Sequence, residues 1–308
     1  MPSVSIILPV YNGMRYLEQC VNSVLNQSYK SFEFLIIDDC STDNSYFFLQ
    51  SLKDTRIRLY QNEQNKGLFY NLNFLIKESA SPIIKLWSQD DVMNPGCIEE
   101  IINFHQLHPE IGFSYTGRDH IDADGYKLLL NKPDHTPAVI STALHTRIAC
   151  ITGSIAGNIA NVAITKAAID KVGYFNEQMK ISGDFDMWVR IAEYFEVGFI
   201  NKPLIQLRNH QGQLSNQKKY FIYHLKEDME VYRYLFSYAT LAQKKEGMRL
   251  LRSQKLLFYY TLMLKEAARG RIKQAFDFFR IIAQFDNIFI LTFFYIKHRV
   301  LKIKPVFN

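Results

Sequence analysis

Short apolar runs alternate with helix-period stretches over roughly the first 125 residues of this 308-residue chain. The first two runs, VSIILPV at 4–10 and FLII at 34–37, are apolar on both faces, as in a parallel sheet covered by helices. The runs predict strands at Val4–Val10, Phe32–Asp38, Ile57–Gln61, 83–87 and 111–115. Helices are predicted between them, near 15–27, 43–53, 68–79 and 95–107. This alternation is typical of a doubly wound α/β domain, in which ligands bind beyond the carboxyl ends of the strands.

The pattern changes in the last third of the chain, where almost no strand signal remains. Apolar residues there recur at steps of four and three, which indicates an amphipathic helix. The residues on this face are Phe221, Leu225, Met229, Tyr232 and Leu235. Further helices are predicted over 243–268, 271–284 and 287–299. We therefore expect an α/β domain over residues 1–215 and an all-helical region over residues 216–308.

The segment between these two patterns is less regular. The sequence Asp-Ala-Asp-Gly at 122–125 predicts a hairpin turn. A helix of about fourteen residues is predicted after Ser182, followed by an extended segment over 198–210.

Charge is unevenly distributed along the chain, whose formal net charge is +6. Residues 216–308 carry 18 Lys and Arg against 7 Asp and Glu, whereas residues 1–215 carry 18 against 23. A basic region can bind nucleic acid or an anionic membrane surface. No zinc-finger, RNA-binding or helix-turn-helix pattern is present, so we expect no nucleic-acid partner.

An apolar run at 288–296 is shorter than the roughly 20 residues that span a bilayer. Basic residues suited to anionic lipid head groups follow it, at Lys297, Arg299, Lys302 and Lys304. The region is thus either a helical cap with a solvated basic face or a surface that docks on membrane. No secretory leader pattern is visible, and we expect a cytoplasmic protein, with peripheral association at the inner face of the plasma membrane as the alternative.

Polar residues follow the first two predicted strands. Pro9 and Tyr11 end the first, where an aromatic ring can either stack on a nucleobase or pack in the core, and Asn12 can cap the following helix. Asp38 and Asp39 end the second strand. A helix cap explains the polar residues after this pair but not the pair itself, so one of the two carboxylates is a candidate to hydrogen-bond a base or a ribose.

Two more adjacent carboxylates, Asp90 and Asp91, follow the fourth predicted strand. They would repel each other unless something neutralised their charge, and a divalent cation does so. Mg²⁺ and Mn²⁺ prefer oxygen ligands and are often held by one or two carboxylates together with substrate phosphates. The alternative is a helix cap before Pro95.

Asp184 and Asp186 lie near the start of a predicted helix. The helix dipole favours carboxylates there, so capping is one interpretation, and a general base for an acceptor hydroxyl is the other. His210, at the end of the extended segment, is a candidate metal ligand or phosphate contact, or a structural hydrogen-bonding residue.

These motifs, in this order, resemble those of the family 2 glycosyltransferases, which are inverting enzymes of the GT-A fold. The resemblance extends from Val4 to about Ser215. It rests on the segments 4–12 (VSIILPVYN), 36–43 (IIDDCSTD), 65–67 (NKG, with Asn73 beyond), 89–91 (QDD), 172–177 (VGYFNE) and 183–188 (GDFDMW).

The resemblance implies a role for each matching residue on the nucleotide side. Pro9 and Tyr11 would line the base pocket, and Asp39 would hydrogen-bond the base. Asp90 would contact the ribose.

The resemblance also implies the metal and catalytic residues. Asp91 would bind the metal that bridges the diphosphate, His210 matches a position that helps to hold the metal or the diphosphate, and Asp184 matches the catalytic carboxylate. Two positions depart from the family pattern: Ser88 lacks the acid found two residues before the metal-binding pair, and Gly183 replaces a Glu found in many members.

The sequence therefore predicts an inverting glycosyltransferase that uses a nucleotide-diphosphate sugar, with Mn²⁺ or Mg²⁺ as cofactor. The resemblance implies that the donor is a UDP-sugar, which many members of the family use. The acceptor is expected to be a glycan or a lipid-linked oligosaccharide in bacterial surface-polysaccharide synthesis, with residues 150–165 in the wall of its pocket. The rival from another class is a non-catalytic nucleotide-sugar-binding or scaffold protein that retains the fold. A nucleotidyltransferase would need a glycine-rich basic loop after the first strand, where this chain has the single glycine Gly13.

Overall fold

The computed structural model describes residues 2–128, 134–212 and 217–302. Among these residues the chain forms two compact units, one comprising 2–145 and 156–212 and the other comprising 146–155 and 217–302. The boundary predicted between residues 215 and 216 lies outside the described residues.

Residues 146–155, which the sequence assigns to the α/β domain, cluster instead with the second unit. Two contacts explain this grouping. Arg147 forms an ion pair with Glu246 at 3.5 Å, and a Cβ added to Gly247 would lie 3.0 Å from the Cβ of Cys150.

A ten-stranded mixed sheet forms the centre of the first unit. Its strands are β1 (Val4–Val10), β2 (Phe32–Asp38), β3 (Ile57–Gln61), β4 (Ile83–Leu86), β5 (Val92–Met93), β6 (Ile111–Ile121), β7 (Lys127–Leu128), β8 (Val139–Ile140), β9 (Val162–Thr165) and β10 (Glu196–Arg208). Their order is β3-β2-β1-β4-β9-β6-β10-β5, with β7 paired to β6 and β8 to β10. All the long strands run in one direction, and β5, β7, β8 and β9 run antiparallel to their neighbours.

Helices cover both faces of this sheet. They are α1 (Met14–Leu25), α2 (Ser45–Ser51), α3 (Leu68–Glu78), α4 (Cys97–Leu107), α6 (Lys166–Val172) and α7 (Gly183–Ala192). A further helix, α5 (Thr142–Thr152), begins in the first unit and ends in the second. The apolar sides of α1 and α4 share one core with alternate residues of β1 and β2. On the other face α3 packs on β1 and β2, and Trp188 of α7 lies 5.0 Å from Phe113 of β6, centroid to centroid. The predicted α/β fold is therefore confirmed as a mixed sheet whose long strands are parallel.

The structure also corrects several sequence-based boundaries. The fifth predicted strand continues to Ile121, and the helix after Ser182 has ten residues rather than about fourteen because β10 begins at Glu196. The predicted turn at 122–125 joins β6 to β7, with Gly125 at φ 93°, where a left-handed conformation favours glycine.

The second unit is helical, as predicted. Besides the end of α5 it contains α8 (Phe221–Tyr238), α9 (Leu241–Ser253), α10 (Lys255–Ala268), α11 (Ile272–Phe285) and α12 (Ile288–Tyr295), followed by a π-helical turn, Ile296–Val300. The single helix predicted over 243–268 is wrong, because Gln254 leaves the helical conformation at φ −123° and ψ −85° and separates α9 from α10.

Within the described ranges, no helix is by itself long and apolar enough to cross a membrane. The pair Ile272–Phe285 and Ile288–Val300, bent by 110°, meets the length and composition criteria when the two are taken together.

Candidate active site

The ends of β1, β2 and β4 meet at one edge of the sheet. Val10 is in register with Asp38, and Ile7 with Leu86. Since all three strands run in the same direction, the polar segments that follow them are brought together, as the strand-end argument predicts.

Gln89 joins the segments that follow β1 and β4. Its Oε1 accepts a hydrogen bond from the Tyr11 N–H at 2.8 Å, and its Nε2 donates to the Tyr11 carbonyl at 3.1 Å. The ring of Tyr11 is 45% exposed, so it is open to a ligand while its backbone is fixed. Pro9 lies two residues earlier in β1, opposite Ile37 of β2. This arrangement suits a ring that stacks on a planar group.

Asp39 is buried at this edge, and its carboxylate accepts three hydrogen bonds. They come from Asn62 Nδ2 and the Lys66 N–H, both at 2.7 Å, and from the Gly67 N–H at 2.9 Å. Gly67 has φ 88°, so a side chain would be strained there. A carboxylate has about four acceptor positions, which leaves about one for a ligand N–H.

Asp38 has a different environment from its neighbour. It is fully buried; its Oδ2 accepts from the Ser41 N–H at 3.0 Å, whereas Oδ1 has no hydrogen-bond partner in the described part of the chain. The prediction that Asn12 caps the following helix, α1, is wrong. Asn12 Oδ1 accepts from the Thr42 N–H at 2.8 Å, so it stabilises the turn before α2 rather than the start of α1.

Asp91 is 2% exposed, and its Oδ1 accepts the backbone N–H of Arg208 at 2.8 Å. Burial raises the pKa of Asp91 to about 7, although the Arg208 N–H acts in the opposite direction. Burial also raises the pKa of the partly exposed Asp90, against the effect of His210. Neither carboxylate has a Lys or Arg within ion-pair distance among the described residues. Two adjacent carboxylates with so little compensation form an environment that a cation would stabilise.

Arg208 fixes this pair of carboxylates in place. Its buried guanidinium donates through Nε to the Asp90 carbonyl at 2.9 Å and through Nη2 to Gln19 Oε1 at 2.7 Å. Nη1 donates to the carbonyl of Asp122 at 3.2 Å, which ties the site to the hairpin turn after β6. Sequence reasoning did not select Arg208; the signal for it was an arginine at the end of a long apolar strand, next to the motif that contains His210.

The resemblance assigns His210 and Asp91 to the same metal, but the carboxylate beside His210 is that of Asp90. Its Nε2 is 3.5 Å from Asp90 Oδ2, and its Nδ1 accepts the Gly212 N–H at 3.2 Å. Nε2 is buried without a good hydrogen bond in the described ranges, since 3.5 Å is at the limit for such a bond. A neutral ring that accepts at Nδ1 carries its proton on Nε2. Nε2 could serve as a cation ligand only in the tautomer that carries its proton on Nδ1.

No group of three or more His, Cys, Asp or Glu side chains among the described residues forms a closed metal site. The residues present nevertheless fit a cation that shares its ligands with a substrate. Asp91 is a buried oxygen donor with a raised pKa, Asp90 is next to it, and the Nε2 of His210 has no good partner. Mg²⁺ and Mn²⁺ are commonly held by one or two carboxylates plus phosphates, which this donor set matches.

Asp184 lies in the first turn of α7 and is partly exposed. Its Oδ1 accepts the N–H of Phe185 at 2.7 Å. Asp186, by contrast, forms an ion pair with Arg190 at 2.8 Å, and Arg190 also donates to the Val172 carbonyl at 2.8 Å. Asp186 therefore has a structural role, which leaves the predicted catalytic role to Asp184.

Gly183 departs from the family pattern for a steric reason. A Cβ at this position would lie 2.6 Å from Cζ of Phe69, whose ring stacks on Phe175 at 5.7 Å. Phe69 belongs to α3, which begins directly after Gly67, a donor to Asp39. The start of α7 is thus packed against the helix that helps to hold the predicted base-binding carboxylate.

Asn73 explains why two distant motifs occur together. Its side chain donates to the Phe175 carbonyl at 2.9 Å and to Glu177 Oε1 at 2.8 Å, and it accepts from the Phe175 N–H at 2.9 Å. These bonds fix the segment that leads into α7. Sequence reasoning used Asn73 only as part of the resemblance.

The predicted acceptor wall, residues 150–165, is divided between the two units. In the first unit, the Ala156 carbonyl accepts from Arg118 Nη1 at 2.6 Å and from Asn161 Nδ2 at 3.2 Å. This part of the wall therefore packs against β6 in the sheet unit.

A mixed, mostly parallel sheet with carboxylates after its strands is the architecture that the resemblance to GT-A glycosyltransferases implies. The sequence profile of Glycosyl transferase family 2 matches residues 5–159, half of the chain. The chain belongs to this family.

Two curated relatives support the assignment. An uncharacterized glycosyltransferase of Rickettsia typhi is 30% identical over 222 residues, which cover 70% of this chain and 66% of the relative. The Bacillus subtilis protein TuaG, named as a teichuronic acid biosynthesis glycosyltransferase, is 32% identical over 156 residues, 49% of this chain and 61% of TuaG. The chain thus matches about two thirds of the length of these relatives.

Solved structures confirm the fold. Residues 1–349 of S. aureus TarS superpose with a TM-score of 0.67 at 19% identity, covering 92% of this chain and 81% of that structure. TarS has also been solved with UDP-GlcNAc. The mannosyltransferase PcManGT of Pyrobaculum calidifontis, solved with GDP-Man and Mn²⁺, superposes with a TM-score of 0.55 at 14% identity over 98% of this chain and 88% of that structure.

Proposed function

We propose that this protein is an inverting glycosyltransferase that moves a sugar from a UDP-sugar to a hydroxyl group of a glycan or a lipid-linked oligosaccharide. One observation carries the proposal. The segments with Asp39 and with the pair Asp90 and Asp91 follow parallel strands at one edge of the sheet. The segment with Asp184 packs on α3, the helix that begins after Gly67, a donor to Asp39. The arrangement of these carboxylates matches a ligand that presents a base, a diphosphate and a reacting sugar in order.

The nucleotide would bind at the ends of β1 and β2. The exposed ring of Tyr11 would stack on the base beside Pro9, and the remaining acceptor position of Asp39 would take a base N–H. Asp90 would accept a hydrogen bond from the ribose. The structures of TarS with UDP-GlcNAc and PcManGT with GDP-Man support a nucleotide sugar as the donor.

Asp91 and His210 would hold a divalent cation, Mn²⁺ or Mg²⁺. Bound there, it would supply Lewis-acid stabilisation of the charge that develops on the departing diphosphate. Asp91 must be ionised to contribute, and its pKa of about 7 in the empty protein means that a cation and a proton compete for this carboxylate.

Asp184 would act as the general base. Its carboxylate takes the proton of the acceptor hydroxyl while that oxygen forms a bond to the anomeric carbon and the bond from this carbon to the diphosphate oxygen breaks. Attack from the face opposite the diphosphate inverts the anomeric centre. Asp184 lies in the first turn of α7, where a helix N-terminus favours negative charge.

We place the reaction in the synthesis of a bacterial cell-surface polysaccharide. The name of TuaG supports this context.

The test of the function is a transfer assay with a panel of UDP, GDP and dTDP sugars and a mixed lipid-linked glycan fraction as acceptor, with and without Mn²⁺. We expect metal-dependent transfer from one donor class; Asp170→Asn, an exposed carboxylate on α6, is the matched control for Asp184→Asn. Metal-dependent nucleotide binding without any transfer would favour the rival, a non-catalytic nucleotide-sugar-binding protein.

We further propose that the second unit docks on an anionic membrane surface. Phe289, Phe293, Ile296 and Val300 are exposed at the spacing of one helix face. Lys297 and Arg299 lie on the same segment, and the predicted contribution of Lys304 lies outside the described residues. A basic helix with exposed apolar residues is typical of peripheral membrane binding.

Flotation with vesicles that contain an anionic lipid tests the docking proposal. The wild-type protein should co-float, and Phe289→Asp with Phe293→Asp should abolish co-flotation. Phe47→Asp, at a side chain that is 71% exposed in the first unit, is the matched control and should have no effect. A wild-type protein that does not co-float would exclude the docking surface.

A further inference from the structure

Arg118 has an unusual environment for an arginine on a central strand. It lies on β6 and is only partly exposed. Among the described residues, one of its five N–H groups makes a hydrogen bond, from Nη1 to the Ala156 carbonyl at 2.6 Å. None of the described carboxylates lies within ion-pair distance of it. A guanidinium that is largely removed from water without a counter-ion or a full set of acceptors is costly.

The surrounding backbone fixes this guanidinium in position. A Cβ at Gly157 would lie 3.3 Å from Arg118 Nη2, and Gly157 has φ 67°, so a side chain is disfavoured on both counts. Asn161 donates to the same Ala156 carbonyl at 3.2 Å, which holds that oxygen from a second side. The guanidinium is therefore preorganised, with its remaining donors unused.

Arg118 also belongs to the same electrostatic environment as the proposed metal site. Burial lowers the pKa of Arg118, while Tyr115 and the carboxylate of Asp91 act in the opposite direction. The sheet order fixes its side of the site. Tyr11 and Asp39 follow β1 and β2, whereas β6 lies beyond β4 and β9. A donor with its base at β1 and β2 and its diphosphate at Asp91 therefore directs the transferred sugar and the acceptor toward Arg118.

We infer that Arg118 binds an anionic group, a carboxylate or a phosphate, on the substrate beyond the donor diphosphate. The group belongs either to the transferred sugar or to the acceptor. A guanidinium binds both kinds of oxyanion through paired N–H groups, and Arg118 has four N–H groups left for this purpose. The inference rests on the proposed glycosyltransferase function and adds a charged substrate class to it.

Binding measurements on the full chain with Mn²⁺ separate the two sources. In the first arm, UDP-glucuronate is compared with UDP-glucose. In the second arm, with UDP and Mn²⁺ present, methyl glucuronide and glycerol 3-phosphate are compared with methyl glucoside. We expect the wild-type protein to prefer the charged probe by about ten- to a hundredfold in one of the two arms, the range expected for hydrogen bonds to a charged group. Arg118→Gln should remove the preference, and Arg118→Lys should keep part of it.

Two controls make the result specific. Affinity for UDP alone should be the same in Arg118→Gln as in the wild-type protein. Arg58→Gln removes an exposed arginine on β3 that pairs with Glu33 and Glu78, and it should leave the charge preference unchanged.

Two outcomes would overturn the inference. A loss of UDP affinity in Arg118→Gln as large as the loss for the charged probe would assign Arg118 to the diphosphate. A wild-type protein without charge preference in either arm would leave Arg118 as a structural support for Ala156, and this comparison holds even if the variant does not fold. A wild-type protein that does not bind UDP at all would instead contradict the proposed function.

Discussion

Charged side chains removed from solvent form ion pairs in one unit of the molecule but not at the sheet edge of the other. In the helical unit they are paired: Arg252 binds Asp286 through two contacts of 2.7 Å, and Lys255 binds Asp228 at 2.6 Å. At the sheet edge of the first unit, Asp91 and Arg118 each have one hydrogen bond to a backbone group. Neither forms an ion pair at contact distance among the described residues.

This contrast distinguishes charged residues that stabilise the fold from charged residues that we expect to bind a ligand. A buried ion pair satisfies itself, whereas an uncompensated buried charge lowers the stability of the empty protein and is retained where a ligand supplies the missing partner. The raised pKa of Asp91 expresses that deficit.

The largest expected effect is on catalysis, at the reactive end of the sheet edge. Asp184→Asn removes the proposed general base, and a positioned base contributes about 10²- to 10⁴-fold. We expect transfer to fall by about that factor while the affinity for nucleotide changes little. Single-turnover transfer and a nucleotide titration on the same preparation check this. Near-wild-type transfer by Asp184→Asn would show that another group takes the proton.

The paired charges of the helical unit should show their role in stability. Asp286→Asn leaves the partly buried Arg252 without its counter-ion, and we expect a loss of about 1–3 kcal/mol in the free energy of unfolding, because the remaining charge is poorly solvated. Urea denaturation measures it, with nucleotide binding as the second readout. An unchanged midpoint would mean that the ion pair is too solvent-exposed to contribute to the free energy of unfolding.

The opposite sign is expected at the sheet edge. Asp91→Asn removes an uncompensated charge and keeps an acceptor for the Arg208 N–H, so at pH 8 the ligand-free protein should gain about 1–3 kcal/mol. Thermal unfolding without metal or nucleotide compares the variant with the wild-type protein. A destabilised Asp91→Asn variant would contradict the claim that the charge of Asp91 lowers the stability of the ligand-free protein.

A buried neutral base gives a smaller effect, at acid pH. Burial lowers the pKa of His105 to about 4, with His108 acting in the same direction, and the ring is bonded to Ser114 at 2.9 Å. The folded protein therefore keeps His105 neutral while the unfolded chain takes up a proton below about 6.5. The contribution of His105 is fully present above this pH and is lost as pH falls toward 4. His105→Gln should make the unfolding midpoint less dependent on pH between 6.5 and 4.5; an unchanged pH dependence would assign the acid sensitivity to other groups.

Much of the fold follows from the spacing of apolar residues. The bounds of β1, β2 and β3 agree with the sequence prediction residue for residue. In β1 and β2 most positions on both faces are apolar and buried, which marks the strand clearly in the sequence. The break at Gln254 was not predictable, since apolar periodicity continues through it. The assignment of 146–155 depends on long-range contacts such as that between Arg147 and Glu246, which leave no local pattern.

The candidate site was predictable to a similar extent. Strand-end position alone singled out the segments of Tyr11, Asp39 and Asp91, and the structure brings these segments to one edge. The supporting roles of Gln89 and Arg208 were not predicted, because both side chains act through backbone groups of distant segments. Gln89 entered the sequence analysis only as part of the segment 89–91. The close approach of Phe69 that requires glycine at position 183 is likewise a property of packing.

The most direct test of the account is a titration of UDP into the wild-type protein and into Asp91→Asn, each with and without Mn²⁺. The account predicts that UDP binds and stabilises the wild-type protein when Mn²⁺ is present, and that this metal-dependent gain is lost in Asp91→Asn although the ligand-free variant is the more stable protein. Binding of UDP that is equally strong without metal, or equally strong in Asp91→Asn, would contradict the claim that the uncompensated carboxylates at the sheet edge form a cation-dependent nucleotide-sugar site.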